Sequence, residues 1–250
     1  MAQDIDIIIL SYAKDERLKE LTIQTINSLV SSENLREIRF NILVIESEKS
    51  IAPYQYPHST TIYPAQKFGF HTYLNIGLKQ MNAEFICFCN NDLLFAKGWA
   101  TAMLAAIDKD SELDCLNPFC PSFHADKLAQ LPEKINYGYT NGIHFTGWCF
   151  LAKRTLFDTA GLFDEHFKFW YCDDDFRLTL KKYGLKNALI KDSVVEHLCS
   201  ETLAKVPSKE KLYLQYISFA YYKYKWEHHS LKTYLYETLK YQVKILLNRK

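Results

Sequence analysis

Apolar positions arrive along this chain in short blocks of alternating period. The run IDIIIL over 5–10 is short and rich in isoleucine, which predicts a buried strand. Over 16–30, Leu18, Leu21, Ile23, Ile26 and Leu29 fall mostly at helical spacing. FNILVIE (40–46) predicts a second buried strand, and TTIYPA (60–65) a third. TYLNIGLKQM (72–81) predicts a helix. EFICFCNND (84–92) is an apolar run that stops abruptly in polar residues. Strand, helix, strand, strand, helix, strand is the rhythm of an α/β domain with a largely parallel sheet. In such sheets ligands bind beyond the carboxyl ends of the strands. Three of those ends are polar here: Ser11–Tyr12, Glu46–Ser47 and Asn90–Asn91–Asp92.

The pattern then weakens. Residues 100–160 alternate less clearly, and 121–145 is polar and turn-rich, which predicts a mobile loop over a site. Apolar strand and helix character returns over 147–163. DFRLTLKKYG (175–184) predicts an amphipathic helix closed by Gly184. Residues 205–250 predict two further helices, roughly 208–226 and 230–248. Leu231, Leu235, Leu239, Val243 and Leu246 form a stripe on the second. The expected division is a domain over 1–204 and a helical appendage over 205–250.

Composition narrows the class. The chain has 250 residues, 48% hydrophobic, enough to bury a full core. Net charge is +1, but it is unevenly spread: 205–250 carries ten Lys and Arg against three Glu, and ten aromatic residues. Seven cysteines without framework spacing predict a reduced, cytoplasmic protein, with Cys87 and Cys89 packed in a strand. The first residues are too acidic for a signal peptide. No apolar run approaches the ~20 residues that span a bilayer. The basic tail leaves open peripheral contact with the inner membrane face.

The chemistry concentrates in two places. Asp92 ends an apolar strand in CNNDLLF, where one carboxylate suffices for a divalent cation when substrate phosphates supply further oxygens. Asp173, Asp174 and Asp175 stand in a row in FWYCDDDFR. Adjacent carboxylates against an apolar flank are costly to ionise, which is useful if one of them must take a proton. N-capping of the following helix is the competing use, expected of Asp174 or Asp175.

GLFDEHFKFWYCDDDFR resembles the acidic signature of the family 2 glycosyltransferases, which are inverting, nucleotide-sugar enzymes with the GT-A fold. Gly161, Phe163, Asp164 and Glu165 match its first part. Asp173 and Asp175 match its two Asp positions, and Cys172 stands where Glu is usual. ILVIESEKS resembles the family's second strand end, with Glu46 for Asp. KFGFHTYLNIGL matches a further segment at Gly69, Asn75 and Gly77, with Lys67 at its first Asn. CNNDLLF resembles its Asp-x-Asp motif with Asn90 at the first position, and FTGWCFLAKRTLF its acceptor-side segment. The motifs keep the family's order over about residues 4–200.

The resemblance implies a GT-A fold with a C-terminal helical appendage, and sugar transfer from a nucleotide-diphosphate sugar to an acceptor hydroxyl. It implies Asp173 as catalytic base and Asp92 with His197 as ligands of Mn2+ or Mg2+. Ser11, Tyr12, Glu46, Asn75, Asn90 and Asn91 are expected around the nucleotide. Trp148, Trp170 and Asp174 are expected on the acceptor side. A surface or lipid-linked glycan is the expected acceptor. The alternatives are modified bases of viral DNA, which the basic aromatic tail would suit, and a non-catalytic sugar-nucleotide or glycan-binding module.

Overall fold

The computed structural model describes residues 2–198 and 208–247, with the side chains of 208–211 outside the description. Strand β1 (Gln3–Ser11) lies between β2 (Ile38–Glu46) and β4 (Phe85–Asn90), parallel to both, and β3 (Thr60–Ile62) runs parallel beyond β2. Ile5, Ile7, Ile8 and Ile9 are all fully buried. Helices cover both faces of this strand, so its apolar residues run on instead of alternating. Helix α1 (Glu16–Ser31) packs Ile26 and Leu29 against Ile5, Ile7 and Ile9. Asp15 caps it, accepting from the Leu18 amide at 3.0 Å. Helix α2 (Phe70–Gln80) packs Leu74 and Leu78 with Ile8 on the other face. Gly77 permits this approach: a Cβ there would lie 2.5 Å from Ile8 Cδ1.

Beyond β4 the sheet changes direction. β8 (Cys149–Lys153) pairs antiparallel with β4 and with β6 (Leu113–Phe119), and β6 runs parallel to β9 (Lys186–His197). β5 (Leu93–Phe95) and β7 (Ile135–Tyr137) each add to β9 in antiparallel fashion. The path through the nine-stranded sheet is β3-β2-β1-β4-β8-β6-β9-β5, with β7 beside β9. Helices α3 (Trp99–Lys109), α4 (Pro121–His124), α5 (Leu156–Ala160) and α6 (Cys172–Tyr183) complete this part. Two C-terminal helices, α7 (Ser208–Trp226) and α8 (Leu231–Leu247), form an antiparallel pair, with Tyr216 stacked on Tyr241 and Tyr224 on Tyr234. Among the described residues no helix is long and apolar enough to cross a membrane.

Several expectations are corrected. The weakly patterned stretch after residue 98 holds a full helix, α3, and a core strand, β6. The segment 121–145 is not one long loop: it contains α4, a 3-10 turn and β7. β7 has only three residues, too few to show a period, and it exists through pairing with the distant β9. The run over 84–92 stops as a strand at Asn90. Asn91 diverts the chain, its side chain donating to Thr22 and its carbonyl accepting from Thr25 in α1. Gly184 does end α6, in the left-handed region at φ 67°. Cys87, Cys89 and Cys149 are buried thiols with sulfurs 3.4–3.9 Å apart, the contact distance of side chains packed across β4 and β8. Cys199 lies outside the described residues.

Candidate active site

The polar strand ends meet. Ser11 and Tyr12 at the end of β1, Ser47 just past β2, and Asn90, Asn91 and Asp92 at the end of β4 line one cavity of about 230 Å³. Phe68, Phe70, Phe169 and Trp170 supply its aromatic walls. The cavity therefore stands where a parallel sheet binds ligands. Trp170 was expected on the acceptor side; here it shares this cavity with the strand ends.

Two residues expected around the nucleotide are engaged elsewhere. Glu46 is fully buried and does not line the cavity. Its carboxylate accepts from the amides of Ala13 (3.1 Å) and Glu48 (2.7 Å) and from the Tyr56 hydroxyl (2.8 Å). It shapes the turn after β1 from beneath, and Tyr56 passes the network on to Ser11. Asn75 is likewise buried, its amide donating to the Phe163 carbonyl and Glu165 while its oxygen accepts from the Phe163 amide. It ties α2 to the start of the acidic segment.

Asp92 and His197 come together although 105 positions separate them in the numbering. The antiparallel register of β5 on β9 sets Leu93 opposite His197, and the Leu198 amide donates to the Asp92 carbonyl. The side chains then meet, His197 Nε2 lying 3.2 Å from Asp92 Oδ1. Trp148 stacks on the His197 ring at 5.3 Å and 13°. Only 8% exposed, it buttresses that ring and does not line the cavity of the strand ends.

The acidic triplet separates into three environments. Helix α6 begins at Cys172, three residues before the predicted start, and its N-cap is Tyr171 at φ 66° with no side-chain cap. The expected capping by Asp174 or Asp175 is therefore not what the structure shows. Asp174 pairs with Arg177 at 2.6 Å and accepts from Asn141, which takes up the carboxylate expected on the acceptor side. Asp175 is buried against the C-terminal helices. Asp173 accepts from the Asp174 amide at 3.0 Å, and that bond and Asn141 both favour its charged form. Burial first, and the Asp174 charge second, raise its pKa above the ordinary Asp value.

Gly147 packs directly on Asp173: a Cβ at Gly147 would stand 2.7 Å from Asp173 Cβ. The next residue, Trp148, is the one stacked on His197. One dipeptide thus links the triplet's first carboxylate to the Asp92–His197 pair. Gly147→Ala should cost about 1–3 kcal/mol in a urea titration, because neither main chain can retreat easily. The same variant should slow turnover by moving Asp173.

Sequence reasoning missed the groups that hold this segment. His71 is buried and lies 2.9 Å from the Asp164 carbonyl and 3.2 Å from that of Cys172. Desolvation lowers its pKa to about 4, so it is neutral at pH 7. Lys225 of α7 reaches Asp164 at 2.8 Å and Asp175 at 2.7 Å. Trp226 donates to Asp175 and Tyr221 to Asp164. Burial pushes the Asp164 pKa up, but Lys225 and the bonds from His166 outweigh it and hold the carboxyl well below its usual range. The only available signal was the placement of Lys and aromatic residues in a helix far down the chain, which does not specify a partner.

The family model described as "Glycosyl transferase family 2" matches residues 6–168, ending before the acidic triplet. No curated protein matches the chain by sequence. Among solved structures, similarity extends to GalNAc-T7 with UDP, GalNAc and Mn2+, at TM-score 0.64 and 13% identity over 88% of this chain and 50% of that one. It also extends to the mannosyltransferase PcManGT of Pyrobaculum calidifontis in complex with GDP-Man and Mn2+, at TM-score 0.61 and 13% identity over 99% and 71%. S. aureus TarS 1-349 with UDP-GlcNAc matches at TM-score 0.57 and 16% identity over 87% and 66%. The chain thus spans half the length of the first of these structures and about two thirds of TarS 1-349. At these identities the likeness is one of fold, and that fold is GT-A.

Proposed function

The chain belongs to glycosyl transferase family 2, and from that premise we propose that it moves a sugar from a nucleotide-diphosphate donor to an acceptor hydroxyl with inversion. The observation that carries this reading is the Gly147–Trp148 link, with Asp173 against one residue and His197 against the next. An inverting displacement needs a base on the acceptor and charge stabilisation on the leaving nucleotide. Asp173, whose burial favours taking up a proton, is the base. It removes the hydroxyl proton as the acceptor oxygen bonds to the sugar and the bond to the diphosphate breaks.

The donor would lie in the cavity of the strand ends, its base against Tyr12 and Phe68 and its phosphates toward Asn90, Asn91 and Asp92. Asp92 and His197 offer a carboxylate oxygen and an imidazole nitrogen, a donor set that suits Mn2+ better than the purely oxygen-seeking Mg2+. Such a cation, when bound, neutralises charge on the departing diphosphate. Trp170, which lines the cavity just before the acidic triplet, would lie between donor and acceptor. A glycan hydroxyl is the proposed acceptor. The TarS structure with UDP-GlcNAc and the mannosyltransferase structure with GDP-Man support the donor class. We take 1–204 as the transferase unit and 205–250 as a helical unit joined to it.

A thermal-shift series tests the donor site. UDP or GDP with Mn2+ should raise the melting temperature, and the nucleotide alone should raise it less, because a ligand of the folded state stabilises by mass action. His197→Ala should abolish the Mn2+-dependent part. A melting temperature indifferent to every nucleoside diphosphate with Mn2+ would remove the reading.

A further inference from the structure

Helix α8 carries apolar residues on two faces, and α7 accounts for only one. Tyr234 and Tyr241 stack on α7, and Ile245 is buried. The other face presents Leu231, Leu235, Leu239, Val243 and Leu246, spaced at three to four residues, with Tyr236 and Leu247 at its border. Leu235, Leu239 and Leu246 are each 56–61% exposed. A contiguous apolar strip of this kind on a surface helix marks a place of contact.

Charge indicates what it contacts. Lys232 and Lys240 lie among or beside these leucines and make no ion pair among the described residues. Lys244, at the edge, caps the Tyr216 ring at 4.7 Å. The helix's single acid, Glu237, is turned toward Lys223 of α7 at 3.6 Å. The exposed face is therefore apolar and basic, with no carboxylate on it.

We propose that this face of α8 is a docking surface for an anionic lipid bilayer, lying in the headgroup plane with its leucines inserted. Lysines flanking an apolar face can bury their stems and keep their ammonium groups at the phosphates. A second copy of the chain fits less well, since a two-fold pairing of this face would bring lysines against lysines without acids to neutralise them. Nucleic acid would satisfy the lysines and leave the leucines in water. This inference does not depend on the transferase reading. It does add that α7 carries Lys225 into the acidic segment, so a docked membrane would sit one helix away from the ion pairs that hold Asp164 and Asp175.

The test is flotation of the full chain with vesicles of phosphatidylcholine alone and with phosphatidylglycerol added. Binding should be about tenfold stronger on the anionic vesicles and should weaken as salt is raised. Leu235→Glu with Leu239→Glu should cut it by about tenfold or more without moving the melting temperature, since both side chains are already mostly in water. Lys232→Glu with Lys240→Glu should remove the preference for anionic lipid. The proposal fails if the wild type does not float, or if the double Leu variant floats equally well. It also fails if light scattering shows a dimer that the Leu variant dissociates while vesicles remain unbound.

Discussion

Asp173→Asn should lower the transfer rate by about 10²–10⁴-fold, the usual contribution of a positioned general base. Nucleotide binding should be unchanged, because Asp173 is not among the residues lining the donor cavity. The physical signature lies in stability. Burial raises the Asp173 pKa, so the folded protein holds this proton more tightly than the unfolded chain. Such a group contributes stability when protonated and loses it as pH rises through the folded value. At neutral pH the wild type therefore carries a destabilising buried charge that Asn lacks. The variant should melt at the same temperature or higher at pH 7, and the difference should shrink as pH falls toward and below the Asp range. In the wild type, the acid limb of kcat/KM should rise with unit slope at a pKa above that of an ordinary Asp. Sugar transfer that survives Asp173→Asn would assign the base to another group.

Lys225→Met should destabilise the fold by about 3 kcal/mol, as expected when one partner of a largely buried ionic cluster is removed. Lys225 lies between Asp164 and Asp175, and Asp175 is only 2% exposed. Without the ammonium group, two carboxylates share one partly buried site with no cation between them. Urea titration measures the loss. Adding Asp175→Asn to Lys225→Met should recover part of it, since the neutral amide can still accept from Trp226. A loss within a few tenths of a kcal/mol would mean that the C-terminal helices do not brace the acidic segment. Turnover should fall as well, because Asp175 and Asp173 lie in the same turn of α6, and misplacement of a reacting group by about 1 Å is enough to slow catalysis.

These two experiments address different answers to one question, why three aspartates stand in a row. Their adjacency suggested a shared role, with one as base and its neighbours as caps. Instead, each side chain leaves the first turn of α6 in a different direction. Asp173 meets Gly147, Asp174 meets Arg177, and Asp175 meets Lys225 and Trp226. Local spacing revealed that charge would be concentrated here, but not which charge had a partner, since Gly147 lies 26 positions before Asp173 and Trp226 lies 51 after Asp175. Glu46 and Asn75 show the same limit. Both stand at positions where the family pattern places polar residues, and both point into the scaffold around the cavity. A sequence pattern records that a polar group is required at a position. It does not record whether that group faces the ligand or the residues behind it.

The order of residues along the chain suffices to read the alternation of buried strands and amphipathic helices in the first half, the polar ends of three strands, the family pattern and the existence of the two C-terminal helices. Each depends on nearest-neighbour periodicity or on motif spacing, which a single chain displays directly. Three-dimensional packing was needed to see that β5 folds back onto β9 and brings His197 to Asp92, that Gly147 leaves room for Asp173, and that Lys225 reaches Asp164 and Asp175. These contacts join residues far apart in the chain. Their closeness follows from sheet register and helix packing, which no local pattern of hydrophobic and polar residues encodes.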